Sequence, residues 1–190
     1  MTNIALGTLP SVENAWLNTF DSSKPEVLEE AYKIISKILY CTLSTSSQEG
    51  LPWASPVFFV YDNDLNIYWS SAVVSQHSQN IYSNCGRVAI AIHDSSVAEG
   101  TCGGVYFSGT ASELHTDDFE RIFELMQQRA GKQFNRTLKD YQGDSPRRIY
   151  QFKPNEVWIT GSRVPVGNQL VDTKIKLNLF YLKAFLMLIN

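Results

Sequence analysis

Cysteine is scarce in this chain, and charges of one sign do not cluster. The three cysteines, Cys41, Cys85 and Cys102, lie far apart without a CxxC pair, which excludes a disulfide framework and a cysteine-based zinc site. We therefore expect a reducing compartment, the cytoplasm. The 16 Lys and Arg residues stand against 19 Asp and Glu, a net charge of -3 without a basic block. This balance excludes the electrostatic surface typical of nucleic-acid-binding proteins.

Long apolar runs and targeting features are also missing. The first residues, MTNIALGTLPSVENAW, contain no basic segment followed by an apolar one, so we expect no signal peptide. The apolar stretch Leu179 to Ile189 is interrupted by Lys183 and is shorter than the about 20 residues that span a membrane. We expect it to pack on the rest of the fold or at a dimer interface, with an interfacial membrane helix as the alternative.

Motifs that reveal a catalytic or metal site by spacing alone are absent as well. The chain has no GxSxG sequence, and the glycines of GTCGG match neither a Rossmann nor a phosphate-loop pattern. The three histidines, His77, His93 and His115, are dispersed, whereas zinc needs about four converging ligands. These observations assign no catalytic acid, base or metal ligand.

The elements that the sequence does predict are mostly β-strands joined by hairpins. Helical spacing of apolar residues begins at Pro25 and again after Thr116, and a third helix of about three turns follows the corner SQHS, with Gly86 as its left-handed terminating residue. About six strands fill the rest, the last in two halves hinged near Pro154. Because strands and helices do not alternate, we predict a mainly β fold, a six-stranded antiparallel barrel with flanking helices.

The same patterns suggest one domain with two extensions. The 190 residues and 44% hydrophobic content suffice for a single core. The predicted parts are an N-terminal lead-in (1–24), the barrel (25–161) and a C-terminal extension (162–190) that packs on the barrel or at a dimer interface.

One corner of the predicted barrel is rich in hydroxyls. The strand LNIYWSS is followed by SQHSQNI, so Ser75 stands where a helix begins and unpaired amides can receive an anion. A structural role is also open, because serine commonly caps helices without any ligand. For His77, a surface or capping role and a contact with an anionic ligand are equally open.

These segments, taken together, carry a resemblance. The strand GLPWASPVFF, the corner SQHSQNI and the strand GVYFSGTA occur in an order similar to that of the pyridoxamine 5′-phosphate oxidase-like family, the flavin-binding split barrels, over roughly residues 27 to 161. The resemblance implies a homodimer with FMN in grooves between the subunits. It also implies that the phosphate is held by Ser70, Ser71, Ser75, Gln76 and His77, and that the flavin ring lies along main-chain groups of Ala54, Ser55 and Val57.

The chain departs from the family pattern at positive positions. Gln76 and His77 stand where flavin-binding members have Arg-Lys, and Phe59 stands where many have lysine. Gly104 replaces a glutamine that often reaches the flavin. The first functional expectation is an FMN-dependent oxidoreductase, although basic residues for a pyridoxamine phosphate substrate are not evident near the C-terminus. The alternatives are a protein that binds flavin, F420 or haem without turnover, and a ligand-free dimeric scaffold.

Overall fold

The computed structural model describes residues 17–189. Predictions for residues 1–16 lie outside this range. The helices are α1 (Pro25–Lys37), α2 (Gln76–Ser83), α3 (Phe119–Ala130) and α4 (Leu179–Ile189). The strands are β1 (Leu17–Ser22), β2 (Tyr40–Ser46), β3 (Pro52–Phe58), β4 (Val60–Tyr61), β5 (Ile67–Ala72), β6 (Arg87–His93), β7 (Gly104–Glu113), β8 (Arg147–Thr160), β9 (Val164–Val166), β10 (Gln169–Val171) and β11 (Lys174–Leu177). Short 3₁₀ turns lie at Thr116–Asp118 and Leu138–Tyr141.

Most of these strands form one curled sheet. Among residues 17–189 the strand order is β1-β11-β8-β7-β6-β2-β3, and β5 pairs with β8 and with the short β4. All pairs in this sheet are antiparallel except β1 with β11. The prediction of a mainly β, antiparallel split barrel with flanking helices is therefore confirmed. The six strands predicted from the sequence correspond to β2–β8, because one predicted strand forms both β3 and β4, and β1, β9, β10 and β11 are additional.

The strand β8 causes the curl, because its two halves have different neighbours. Its first half pairs with β5 and its last four residues pair with β11, while β7 runs along both. The register skips Asn155, since Ser108 pairs with Glu156 and Gly109 pairs with Pro154. Such a bulge bends a strand without interrupting it. The two predicted halves are thus one strand, and the bend lies where a hinge was expected.

Helices close the two sides of the barrel. From α1, Ala31 and Ile35 enter the main core, together with Leu182 and Leu186 of α4. A second, smaller core lies under α3 and contains Phe119, Ile122, Met126, Val60, Tyr68 and Ile149. The predicted apolar stripes of α1 and α3 are therefore the buried ones.

The C-terminal helix α4 is only half covered. Leu182 and Leu186 are buried, whereas Phe180 and Leu188 are exposed. No helix within the described part of the chain has both the length and the apolar character needed to cross a membrane. The limits of the predicted C-terminal extension stay a prediction.

Helix α2 ends one residue earlier than predicted. Cys85, with φ 61°, takes the left-handed position after Asn84, and the Gly86 N–H donates to the Ile81 carbonyl. Gly86 is also left-handed, with φ 73°, and a Cβ there would overlap the Ala111 carbonyl oxygen. Glycine is needed for this close approach as well as for the turn.

Candidate functional site

His77 lies at the centre of a hydroxyl cluster that joins β3, β5 and α2. Its Nε2 atom lies 2.8 Å from Ser71 Oγ on β5 and 3.1 Å from Ser75 Oγ before α2. Its Nδ1 atom lies 3.2 Å from Ser55 Oγ on β3. The Ser75 hydroxyl also donates to Ser78 Oγ at 2.9 Å. The imidazole thus ties three elements together and uses both ring nitrogens to do so.

Burial decides the charge of His77. The residue is 9% exposed, and the loss of hydration lowers the pKa of its imidazole below the usual 6.5. Its hydrogen-bond partners are hydroxyls, which carry no formal charge to stabilise a cation. His77 is therefore neutral at pH 7, and it supplies hydrogen bonds without a fixed positive charge.

Helix α2 begins at this cluster with its first amides uncapped. Ser75 occupies the cap position that the sequence predicts, but its hydroxyl makes no bond to an α2 amide. The hydroxyl faces His77 and Ser78. Unpaired N–H groups at a helix N-terminus attract anions. Because no described side chain caps them, these amides keep their capacity to bind one.

A cavity of about 470 Å³ opens beside the corner. Its polar wall contains Ser70, Ser71 and His77, and the Ser70 hydroxyl forms no hydrogen bond with any residue in 17–189. Its other walls are apolar and aromatic, formed by Leu39, Tyr40, Pro56, Val57, Phe58, Met126, Ala130, Phe134 and Tyr141. Protein sites for small molecules typically measure about 300–1,000 Å³ and combine apolar walls with a few polar groups. The cavity has the size and lining of such a site.

Two cations, Lys132 and Arg136, complete the lining. They come from the segment after α3, which turns back over the cavity, and both are exposed. Neither side chain forms an ion pair or hydrogen bond within the described chain, and no acidic residue in that range lines the cavity. In a protein of net charge -3, this cavity therefore has a locally positive lining. Sequence reasoning missed both residues, because they lie in a polar segment without a recognisable motif.

The strand β3 borders the corner as a sheet edge. Just after β3, the Phe59 N–H donates to the Leu39 carbonyl on the β2 side. Main-chain groups alternate in direction along an antiparallel ladder. Those of Val57 and Ser55, two and four residues before Phe59, therefore also face β2. Those of Ala54 face away from it. Of these three predicted ring contacts, only Ala54 can offer main-chain groups at the free edge.

The structure thus divides the eight predicted ligand residues into three groups. Four of them line the cavity: Val57, Ser70, Ser71 and His77. Ser55 and Ser75 contact His77 without lining the cavity. Ala54 and Gln76 are exposed and outside the lining, and the Gln76 amide donates to Asn80 Oδ1 at 2.8 Å. Their role as ligands stays a prediction.

Metal binding has no comparable support. Within residues 17–189, no group of three or more His, Cys, Asp or Glu side chains is placed to hold a metal ion.

Comparison with known proteins places the chain in a family. A family model described as pyridoxamine 5′-phosphate oxidase matches residues 27–161. The chain belongs to this family. The match includes the whole polar wall of the cavity together with Lys132 and Arg136, and it ends before β9. No curated protein matches the chain.

Solved structures of similar fold include a heme-binding protein, a heme storage protein and the protein ChuZ. A heme-binding protein from Mycobacterium smegmatis is 21% identical with a TM-score of 0.61, covering 85% of this chain and 61% of its own length. The heme storage protein HutZ from Vibrio cholerae is 17% identical, with a TM-score of 0.55, and the alignment covers 68% of this chain and 91% of HutZ. ChuZ from Campylobacter jejuni is 17% identical, with a TM-score of 0.61 and coverage of 79% and 64%. At these identities the likeness concerns the fold.

Proposed function

We propose that this protein binds FMN in the cavity beside the β5–α2 corner and acts as an FMN-dependent oxidoreductase. The observation that carries the proposal is a cavity with aromatic walls, two unpaired cations and no acidic lining residue among the described residues. A flavin ring needs apolar walls, and its phosphate gains most from charge-assisted hydrogen bonds. Family membership supports the same cofactor.

The residues present fit FMN in a way that differs from the usual family pattern. The Ser70 hydroxyl and the uncapped amides of α2 supply hydrogen bonds for a phosphate. Lys132 and Arg136 supply the positive charge that Gln76 and His77 lack. Bound FMN would provide the redox chemistry, and the protein would position and enclose it.

A titration with two flavins tests this assignment. The protein should bind FMN with higher affinity than riboflavin, which has the same ring without the phosphate, as measured by quenching of flavin fluorescence. Equal affinities would contradict an anion site at the cavity. Once FMN is bound, bleaching of its visible absorbance by a reduced nicotinamide under anaerobic conditions would separate an oxidoreductase from a passive carrier.

Haem is the second candidate, and one residue of the cavity favours it. Tyr141 lines the cavity, its hydroxyl has no hydrogen bond within the described chain, and tyrosine is a known axial ligand of haem iron. The proteins of similar fold from M. smegmatis and V. cholerae are associated with haem. Both nitrogens of His77 are already engaged, so histidine ligation in this cavity is disfavoured. A haem titration in which Tyr141→Phe abolishes the Soret shift would favour haem over FMN.

We further propose that the protein is a homodimer formed through the outer face of the sheet. A row of small residues crosses four strands in register: Ala54, Ser44, Ala89 and Ser108. The next row contains Pro56, Thr42, Ala91 and Tyr106. Neither row is charged, and small side chains allow two sheets to pack closely. Pro56 also lines the cavity, so a second copy on this face would lie beside the cofactor site.

A cytoplasmic location belongs to the same proposal. Cys41, Cys85 and Cys102 are all free thiols, and free thiols suit a reducing compartment.

A further inference from the structure

Three aromatic side chains form a continuous path from the core to the surface. Trp69 and Tyr150 are both 0% exposed, and their rings stack with centroids 5.7 Å apart and an interplanar angle of 13°. The ring of Tyr82 lies 6.3 Å from that of Tyr150 and reaches solvent. Trp69 directly precedes Ser70 and Ser71, which line the cavity. The path therefore leads from the strand beside the cavity to the exposed side of α2.

Hydrogen bonds run along the outer part of this path in a defined direction. Tyr82 Oη lies 2.6 Å from Glu113 Oε1 and 2.7 Å from Tyr150 Oη. A carboxylate can only accept, so Tyr82 donates to Glu113 and accepts from Tyr150. Arg148 Nε lies 3.3 Å from the other carboxylate oxygen of Glu113. The buried Tyr150 hydroxyl is thus connected to a surface base through one intervening phenol.

Such an arrangement meets the requirement for oxidising a buried tyrosine. Removal of an electron from a phenol at neutral pH is coupled to loss of its proton, and the acceptor must lie within about 2.6–3.2 Å. Burial, reinforced by the hydrogen bond to Glu113, raises the pKa of Tyr82. This phenol therefore holds its proton until it receives another one from Tyr150.

We propose that Tyr150 is a redox-active tyrosine whose electron leaves through Trp69 and whose proton leaves through Tyr82. A one-electron oxidant takes an electron from Trp69, and the Trp69 radical cation takes one from Tyr150. The Tyr150 proton moves to Tyr82 as the Tyr82 proton moves to Glu113. The products are a neutral Tyr150 radical, a protonated Glu113 and the reduced oxidant, with Trp69 and Tyr82 restored.

Another buried tyrosine provides a matched control. Tyr68 is also 0% exposed, and its hydroxyl donates to the Asp62 carboxylate at 2.7 Å. Its ring has no aromatic partner within the described chain. Tyr68 therefore has a proton acceptor but no stacked aromatic ring, and the comparison isolates the contribution of the Trp69–Tyr150 stack.

The test uses ruthenium(III) tris-bipyridine, formed by light from the soluble ruthenium(II) complex as it gives an electron to an added quencher. The ruthenium(III) then oxidises the protein, and electron paramagnetic resonance of frozen samples measures the tyrosyl radical. This probe does not require a bound flavin, so the result is independent of whether the cavity binds FMN. Tyr150→Phe should lower the tyrosyl radical yield severalfold, whereas Tyr68→Phe should leave it unchanged. Equal yields in these two variants would overturn the proposal.

Two further variants distinguish proton transfer from Tyr150 through Tyr82 to Glu113 from direct oxidation of Tyr82 at the surface. Glu113→Gln keeps a hydrogen-bond acceptor but removes the base, so it should lower the yield as Tyr150→Phe does. Because Glu113 is partly exposed, Glu113→Gln should fold even if Tyr150→Phe does not, and the test stays usable. A yield that falls in Tyr82→Phe but not in Tyr150→Phe would mean that Tyr82 is oxidised directly, and it would also overturn the proposal.

Discussion

His77 Nε2 lies 2.8 Å from Ser71 Oγ, so a buried neutral imidazole connects the end of β5 to the first turn of α2. The corner is therefore held together by the protein's own hydroxyls. The positive charge for an anionic ligand has to come from elsewhere, and the structure offers Lys132 and Arg136 from the segment after α3. The first two predictions follow from this difference between the neutral corner around His77 and the cationic rim formed by Lys132 and Arg136.

The first prediction concerns pH and stability. Burial lowers the pKa of the His77 imidazole in the folded state. As the pH falls below about 6.5, this imidazole is therefore protonated in the unfolded chain before it is protonated in the folded protein. The free energy of unfolding should therefore be fully maintained above that pH. It should decrease as the pH falls towards the folded pKa, by at most about 1.4 kcal/mol per pH unit. Urea denaturation at neutral and mildly acidic pH measures this slope.

His77→Gln should remove this part of the pH dependence, and the exposed His115 gives the control variant His115→Gln. If the slope persists unchanged in His77→Gln, the pH dependence has another origin.

The second prediction concerns the cationic rim. Replacing Lys132 and Arg136 together by alanine should weaken FMN binding about tenfold to a hundredfold, because charge-assisted hydrogen bonds to the phosphate are lost. Riboflavin binding should not change. Lys139→Ala is the matched control, since Lys139 is exposed in the same connecting segment and does not line the cavity. Equal loss of riboflavin and FMN affinity would mean that the double variant distorts the cavity.

The third prediction concerns the dimer. Ala89 is exposed at the middle of the small-residue row on the outer sheet face. Ala89→Arg should convert the dimer to a monomer in analytical ultracentrifugation, because an arginine there would prevent close sheet packing and bury an unpaired charge. Gln128→Arg introduces the same charge on the exposed side of α3 and should leave the dimer intact. A wild-type protein that is monomeric would refute the proposed assembly.

Local patterns were sufficient to predict most of the fold. The apolar spacing after Pro25 and after Thr116 gives α1 and α3, and the β-rich runs give the strands from β2 to β8. The corner at Ser75 was found for the same reason, since a strand end and a helix start are both visible within a few residues. These features depend on neighbours in sequence, which is why periodicity and turn chemistry identify them.

Features that depend on distant parts of the chain could not be predicted in this way. Lys132 and Arg136 reach the cavity only because the segment after α3 turns back towards β3 and β5. The hydroxyl of Ser75 prefers His77 over the helix amides because folding brings Ser55 and Ser71 around the imidazole. The direction of main-chain groups in Ser55 and Val57 follows from a register that no single segment encodes.

At the bend of β8, a close tertiary contact requires glycine at position 109. Opposite the bulge at Asn155, a Cβ on Gly109 would overlap the Lys153 carbonyl oxygen and would lie 2.7 Å from the Phe152 ring. Phe152 is fully buried and packs edge-to-face with Phe107. Neither the backbone oxygen nor the packed ring can move freely, so the glycine is required by space.

The fourth prediction follows from this contact. Gly109→Ala should destabilise the protein by about 1–3 kcal/mol, the usual cost of overpacking a filled core, measured as the free energy of unfolding in urea. Gly50→Ala is the control: Gly50 has φ +86° but no heavy atom within 4 Å of an added Cβ, so its cost should reflect backbone strain alone, about 1 kcal/mol. Because the bulge aligns β8 with both β5 and β11, Gly109→Ala should also weaken FMN binding, whereas Gly50→Ala should not. If Gly109→Ala lowers the free energy of unfolding no more than Gly50→Ala does, β8 bends for a reason other than the close approach at Gly109.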